Sequence, residues 1–161
     1  MTTAAPLFDA SACIHRINSA SSLLVWVLDP TNSSELLDRL RAHSGYPDFK
    51  VVWCGEGWRE LVGACHDELA ATFPDYRFYA IKEKWGVLAF QARPRAGEAA
   101  AEEADRLNEI TEKYRAASEV VCEWCGRCGS LRMDARVERT LCDACANDMT
   151  TMRFPKQTPI V

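Results

Sequence analysis

Two Cys-x-x-Cys pairs, Cys122-Glu-Trp-Cys125 and Cys142-Asp-Ala-Cys145, stand sixteen residues apart near the C-terminal end of the chain. Zinc takes four ligands, with thiolate sulfurs about 2.3 Å from the ion, and paired cysteines at this spacing suit one tetrahedral site. Cys122, Cys125, Cys142 and Cys145 are therefore the expected ligands of one structural Zn2+. Four thiolates close the coordination sphere, so such an ion stabilises the fold and leaves no position for water or substrate. Gly126 follows the second cysteine, where the knuckle needs positive φ. Cys128 is left over and reads as a spare thiol beside the site. The competing reading, a disulfide or redox pair, fits less well, because a redox Cys-x-x-Cys normally occurs once and in a βαβ setting.

The remaining reactive residues form no comparable pattern. The histidines are His15, His43 and His66. Cys65-His66-Asp67-Glu68 are consecutive on an expected helix, so their side chains diverge and make no dyad. Cys54 with His66 as nucleophile and base, or Cys13, His15, Cys54 and His66 as a second metal site, would need the fold to gather them. A phosphate-cradling glycine loop and a nucleophile elbow are both absent from the sequence. No catalytic residue is assigned, and an enzyme is not expected.

Basic and aromatic residues interleave between positions 76 and 97. Arg77, Lys82, Lys84, Arg93 and Arg95 alternate with Tyr76, Phe78, Tyr79, Trp85 and Phe90. Arg127, Arg132, Arg136 and Arg139 decorate the cysteine module. Cations for phosphates and aromatic faces for bases are the parts single-strand binders use. The contact residues this reading nominates, for nucleic acid or a protein partner, are Arg77, Lys82, Lys84, Trp85, Arg127, Arg132, Arg136 and Arg139. Net charge is −4, which argues against coating duplex DNA by charge alone.

Several elements must position these groups. The chain has 161 residues, 48% of them hydrophobic, enough for one core plus a metal-clipped module. Leu23 to Leu28 reads as a strand or buried segment. Glu35 to His43 reads as a short helix capped by Ser33 or Ser34, and Phe49 to Trp53 as another short strand. Trp58, Leu61, Val62, Cys65, Leu69 and Phe73 recur with helical period and predict a helix from Gly57 to Phe73, stopped by Pro74. Tyr76–Lys82 and Val87–Ala92 predict a hairpin turning at Glu83-Lys-Trp-Gly86. Glu98 to Val121 reads as a long acidic helix whose seam, Leu107, Ile110, Tyr114, Ala117 and Val121, suits core packing or homodimerisation. Leu131–Met133 and Val137–Leu141 predict a second hairpin, followed by a helix from Asp143 to Met152. The organisation expected is an α+β core over 1–97, a connecting helix over 98–121 and a treble-clef-like zinc module with its tail over 122–161.

Gly57-Trp58, the hairpin Ile81-Lys-Glu-Lys-Trp-Gly-Val-Leu-Ala-Phe90 and Cys122-x-x-Cys125-Gly…Thr140-Leu-Cys142-Asp-x-x-Cys145 occur in one order. In this the chain resembles small uncharacterised proteins of tailed phages and prophages, over roughly residues 55–146. Val87 and Ala89 depart from that pattern, which has a smaller residue and an arginine there. The finger alone is similar to the zinc module of DksA/TraR-type transcription regulators, but only one long helix precedes it here. The resemblance implies a phage-linked origin and no particular activity. A regulator docking on a host or phage protein is expected, as a monomer or homodimer, with single-stranded nucleic acid as the alternative partner. No basic and apolar leader opens the sequence and no apolar run is long enough to span a bilayer, so a location in the bacterial cytoplasm is expected.

Overall fold

The computed structural model describes Leu28, residues 33–134 and residues 137–151. The two antiparallel strands β1 (Arg77–Lys84) and β2 (Val87–Arg93) join through the two-residue turn Trp85-Gly86. Both turn residues have positive φ, 54° and 78°. This matches the right-handed twist of the strands it connects, as in a type I′ turn.

Three helices assemble around this hairpin. The helix α1 (Ser34–Arg41) buries Leu36, Leu37 and Leu40. A single 3-10 turn, Glu56–Trp58, leads directly into α2 (Arg59–Thr72), which buries Leu61, Val62, Cys65 and Leu69 with the predicted period. The third helix, α3 (Ala101–Ser118), buries Leu107, Ile110 and Tyr114 and packs against both β2 and α2. That seam is thus used within the chain, as the core-packing reading expected. Trp58, Tyr76, Phe78, Ile81, Leu88 and Phe90 complete the core. The architecture is mixed α+β, as expected, and no helix among the described residues is long and apolar enough to cross a membrane.

The differences from the sequence reading lie where the chain is irregular. The expected strand over Phe49–Trp53 makes only one parallel bridge to β1, at Trp53 and Lys82. The Trp53 N–H donates to the Ile81 carbonyl and the Trp53 carbonyl accepts from Glu83 N–H (3.0 and 2.8 Å). The chain then leaves the strand edge, because Gly55 and Gly57 are held by Glu123. A second irregular segment crosses the same edge at Ser44, which bridges Phe78. Ser33 occupies the N-cap position of α1 without a capping hydrogen bond, and its hydroxyl donates to Glu56 instead. The long helix starts at Ala101, not at Glu98; the Glu103 carboxylate accepts from the Ala100 N–H at its first turn. Of the expected Leu23–Leu28 segment only Leu28 is described; it is fully buried and donates to the Val52 carbonyl. The tail beyond Thr151 lies outside the described residues.

The cysteine module follows α3: a knuckle over 122–128, the hairpin β3 (Ser130–Asp134) and β4 (Val137–Leu141), then α4 (Asp143–Thr151). It does not hang from a linker. Gly57 N–H donates to the Glu123 carbonyl (2.7 Å), the Trp58 indole to the Val121 carbonyl (2.8 Å), and the Thr140 hydroxyl to the Gly86 carbonyl (2.6 Å). The α2 entrance and the hairpin turn both seat on the module.

Candidate metal centre and binding face

The four sulfurs of Cys122, Cys125, Cys142 and Cys145 lie within 4.8 Å of one another. Two short-range devices bring them there. In the knuckle, Gly126 adopts φ of 74° and its N–H donates to the Cys122 carbonyl, while Cys122 N–H donates to the Arg127 carbonyl. At the start of α4, the Cys145 N–H points at the Cys142 sulfur (3.5 Å), in the positive field of a helix beginning. The two halves are joined by β3–β4 pairing.

This geometry fits a metal ion. Cys125 Sγ and Cys142 Sγ are 3.7 Å apart. A tetrahedron with metal–sulfur bonds of about 2.3 Å has edges of about 3.8 Å, whereas a disulfide needs about 2.05 Å. Arg127 lies over the open side, its Nε 3.3 Å from Cys125 Sγ and its Nη2 3.4 Å from Cys142 Sγ. A guanidinium bridging two sulfurs is placed to offset the excess negative charge of four thiolates. Hydrogen bonds from Cys122 and Cys145, reinforced by Arg127, hold the Cys125 thiol far below its ordinary value. The same pairing pushes Cys122 up to about 11. Among the described residues this is the one cluster able to hold a metal ion. Cys128 stays outside it and is exposed and disulfide-bonded, so it is not the spare thiol expected.

Cys54 and His66 are not brought together. Cys54 is buried among Glu123, Glu56 and Arg139, and burial pushes its thiol up, which disfavours the nucleophilic thiolate. His66 lies at another place in the core, its Nδ1 2.6 Å from the Tyr76 hydroxyl, with His43 stacked on the Tyr76 ring at 4.5 Å. Cys13 and His15, the other members of the second set, lie outside the described residues.

The nominated contact residues divide into two groups. The arginines of the module have internal tasks. Arg127 covers the thiolates. Arg132 pairs with Asp143 and donates to the Leu141 carbonyl. Arg139 is 8% exposed; its Nη1 donates to both carboxylate oxygens of the fully buried Glu123, at 2.7 Å each, and its Nη2 lies 3.3 Å from Glu83. It is a buried strut and not a surface contact. Arg136 lies outside the described residues.

The hairpin residues, by contrast, face outward. Lys82, Lys84, Trp85 and Arg93 are exposed and Arg77 is half-buried. Among the described residues, Arg95 is the one basic residue of 76–97 that pairs with a carboxylate, that of Glu103. The one acidic residue of the stretch, Glu83, turns inward to Arg139. Sequence reasoning missed Tyr46 and Trp53, which the two edge-crossing segments bring beside β1. Tyr46, Trp53, Tyr79 and Trp85 are all large, exposed aromatics (56, 61, 41 and 71%). Lys84 Nζ sits 4.4 Å from the Trp85 ring centroid, and Arg93 lies over Tyr79 at 5.8 Å. The missed pair carried no periodic signal, since each reaches the strand edge by a single bridge.

The chain matches no protein-family model, and no match was found among curated proteins or solved structures.

Proposed function

We propose that this protein is a zinc-clipped binding module that engages single-stranded nucleic acid through the outward face of β1–β2. One observation carries the reading: Tyr46, Trp53, Tyr79 and Trp85 are exposed on or beside β1 and its turn, among cations that have no carboxylate partner in the described residues, while the only carboxylate of the hairpin is turned inward. Exposed aromatic faces offer stacking of about 1–3 kcal/mol per base without sequence preference, and the cations between them meet phosphates. Trp85 strengthens the argument. A tryptophan with φ of 54° is strained by about 1–2 kcal/mol, and at 71% exposure it recovers little by burial. Strain retained at an exposed aromatic suits a contact residue.

In this reading the metal is one structural Zn2+ bound by Cys122, Cys125, Cys142 and Cys145 in a treble-clef-like module. All-thiolate ligation selects zinc over hard cations, and the closed site leaves the ion no catalytic position. Its task is to hold the knuckle on which Gly57 and Trp58 seat. A phage-linked origin accords with the sequence resemblance.

A second reading, docking on a host or phage protein, is favoured by Leu131 and Met133. These exposed side chains (49 and 74%) lie on β3, where Leu131 neighbours the Trp85-Gly86 turn. The experiment is binding of a fluorescent thymidine oligomer of about ten nucleotides across a salt series. Four cations, Arg77, Lys82, Lys84 and Arg93, predict a slope of log K on log salt of about −3. No binding at low salt, together with a nuclease-resistant protein captured from the host, would replace this reading with the protein-docking one.

A further inference from the structure

A groove of about 330 Å3 closes the end of the hairpin opposite Trp85. Phe78 lines it, Tyr46 and the turn after α1 form one wall, and Arg93, Ala96 and Gly97 form the other. The first wall is fixed, because Gly45 N–H donates to the Phe78 carbonyl and Phe78 N–H to the His43 carbonyl (2.8 and 3.0 Å). Three features of this groove have no explanation in folding alone.

Arg77 and Arg93 are direct cross-strand partners in the β1–β2 register. Like charges placed opposite each other destabilise a sheet. Neither has a carboxylate partner among the described residues; the Arg77 guanidinium is steadied by the Ala42 and Tyr76 carbonyls. No acidic residue lines the groove among the described residues. In addition, the register slips between Phe78 and Ala80, leaving Tyr79 as an extra residue on β1. Bulges of this kind re-aim a side chain, and Tyr79 lines the groove opposite Tyr46, with Arg93 over its ring.

We propose that this groove binds the phosphate of a nucleotide between Arg77 and Arg93, with the attached base against Tyr46 or Tyr79. An anion between the two guanidinium groups relieves their repulsion, and a ring on an exposed tyrosine adds stacking. The volume is at the small-ligand end of binding sites, suited to one nucleotide. The nucleotide is either the end of a bound strand or a free mononucleotide. The proposal deepens the single-strand reading and rests on it for the first of these sources. From Tyr79 to Trp85 the strand rises about 20 Å at roughly 3.3 Å per residue. A strand anchored in the groove would therefore run along β1 over about four to six nucleotides.

The test is calorimetric titration of the full chain with adenosine 5′-monophosphate, adenosine, inorganic phosphate and the thymidine oligomer. Adenosine 5′-monophosphate is expected to bind, with adenosine and inorganic phosphate at least tenfold weaker. Arg93→Gln is expected to weaken the mononucleotide at least tenfold without lowering Tm, since it removes a repulsion. Trp53→Ala with Trp85→Ala should leave the mononucleotide unchanged and weaken the oligomer. Mononucleotide binding without oligomer binding would keep the groove, assign it to free nucleotides and overturn the strand reading. Oligomer binding untouched by Arg93→Gln, with no mononucleotide binding, would overturn the groove and leave the strand reading standing. A fall in Tm for Arg93→Gln would make Arg93 structural and also overturn it.

Discussion

Gly57 lies so close to the knuckle that a Cβ on it would stand 2.1 Å from the Cys122 carbonyl oxygen and 2.4 Å from Gly126 N. Both are backbone atoms of, or next to, the candidate ligands Cys122 and Cys125, so neither can yield without moving a sulfur. The entrance of α2 and the four-sulfur cluster therefore form one packed junction. Gly57→Ala is expected to destabilise the chain by about 2–3 kcal/mol through overpacking and to weaken metal retention at the same time. Unfolding followed by both tryptophan fluorescence and metal release checks this. Loss of stability with metal affinity unchanged would show the junction to be looser than its geometry.

The ligand assignment has its own test. Cys122→Ser and Cys142→Ser are expected to lose the metal, whereas Cys128→Ser should retain one ion per chain, because Cys128 is outside the cluster. Chelation should also disturb the core, since Val121, just before the knuckle, and Glu123 within it hold Trp58, Gly55 and Gly57. Metal content by mass spectrometry and hydrogen exchange at α2 read the two effects. Stoichiometric metal in Cys142→Ser would refute the four-cysteine site.

Arg139 stands between two carboxylates, those of Glu123 and Glu83. Removing it as Arg139→Met leaves Glu123, which has no solvent exposure, without its ion partner. A cost of about 3–5 kcal/mol is expected, and Glu123→Gln combined with Arg139→Met should recover much of it. Urea unfolding of the two variants measures the difference. Equal stability of single and double variants would mean that the charge of Glu123 is not what Arg139 offsets.

Burial lowers the His66 pKa, with His43 and then Arg39 acting in the same direction and Asp67 opposing them. A depressed folded-state pKa contributes stability above the unfolded value of about 6.5, lost as pH falls through the folded value. Glu123 acts oppositely: burial raises its carboxyl, so its contribution is full below about 4.5 and fades as pH rises. Comparing His66→Gln with the parent isolates the histidine. The parent is expected to lose stability as pH falls below about 6.5, and the variant to lose less. Parallel profiles would remove His66 as the cause.

The elements with strong periodicity were legible in the sequence. Leu61, Val62, Cys65 and Leu69 placed α2, the alternation around Trp85-Gly86 placed the hairpin, and the cysteine spacing placed the sulfur cluster. What was hidden depends on long-range contacts. Nothing local distinguishes Arg139, a buried strut, from Lys82, an exposed cation, because the difference arises from Glu123 sixteen residues away and Glu83 beyond it. Tyr46 and Trp53 were likewise invisible as surface partners of β1. Each is carried there by a segment with only one bridge to the strand, which leaves no alternating pattern to read.

Trp85 brings stability and binding into opposition. Its φ of 54° favours asparagine or glycine at the first position of a type I′ turn. Trp85→Asn is therefore expected to raise stability by roughly 1 kcal/mol while weakening the oligomer severalfold through loss of one stacking face. The side chain is 71% exposed, so little burial is forfeited. Both quantities are measurable on one variant, by urea unfolding and by fluorescence anisotropy. If Trp85→Asn is less stable than the parent, the indole is anchored by packing and the strain argument fails. If it is more stable and binds the oligomer equally well, Trp85 is not a contact, and the strand must follow another path across the hairpin.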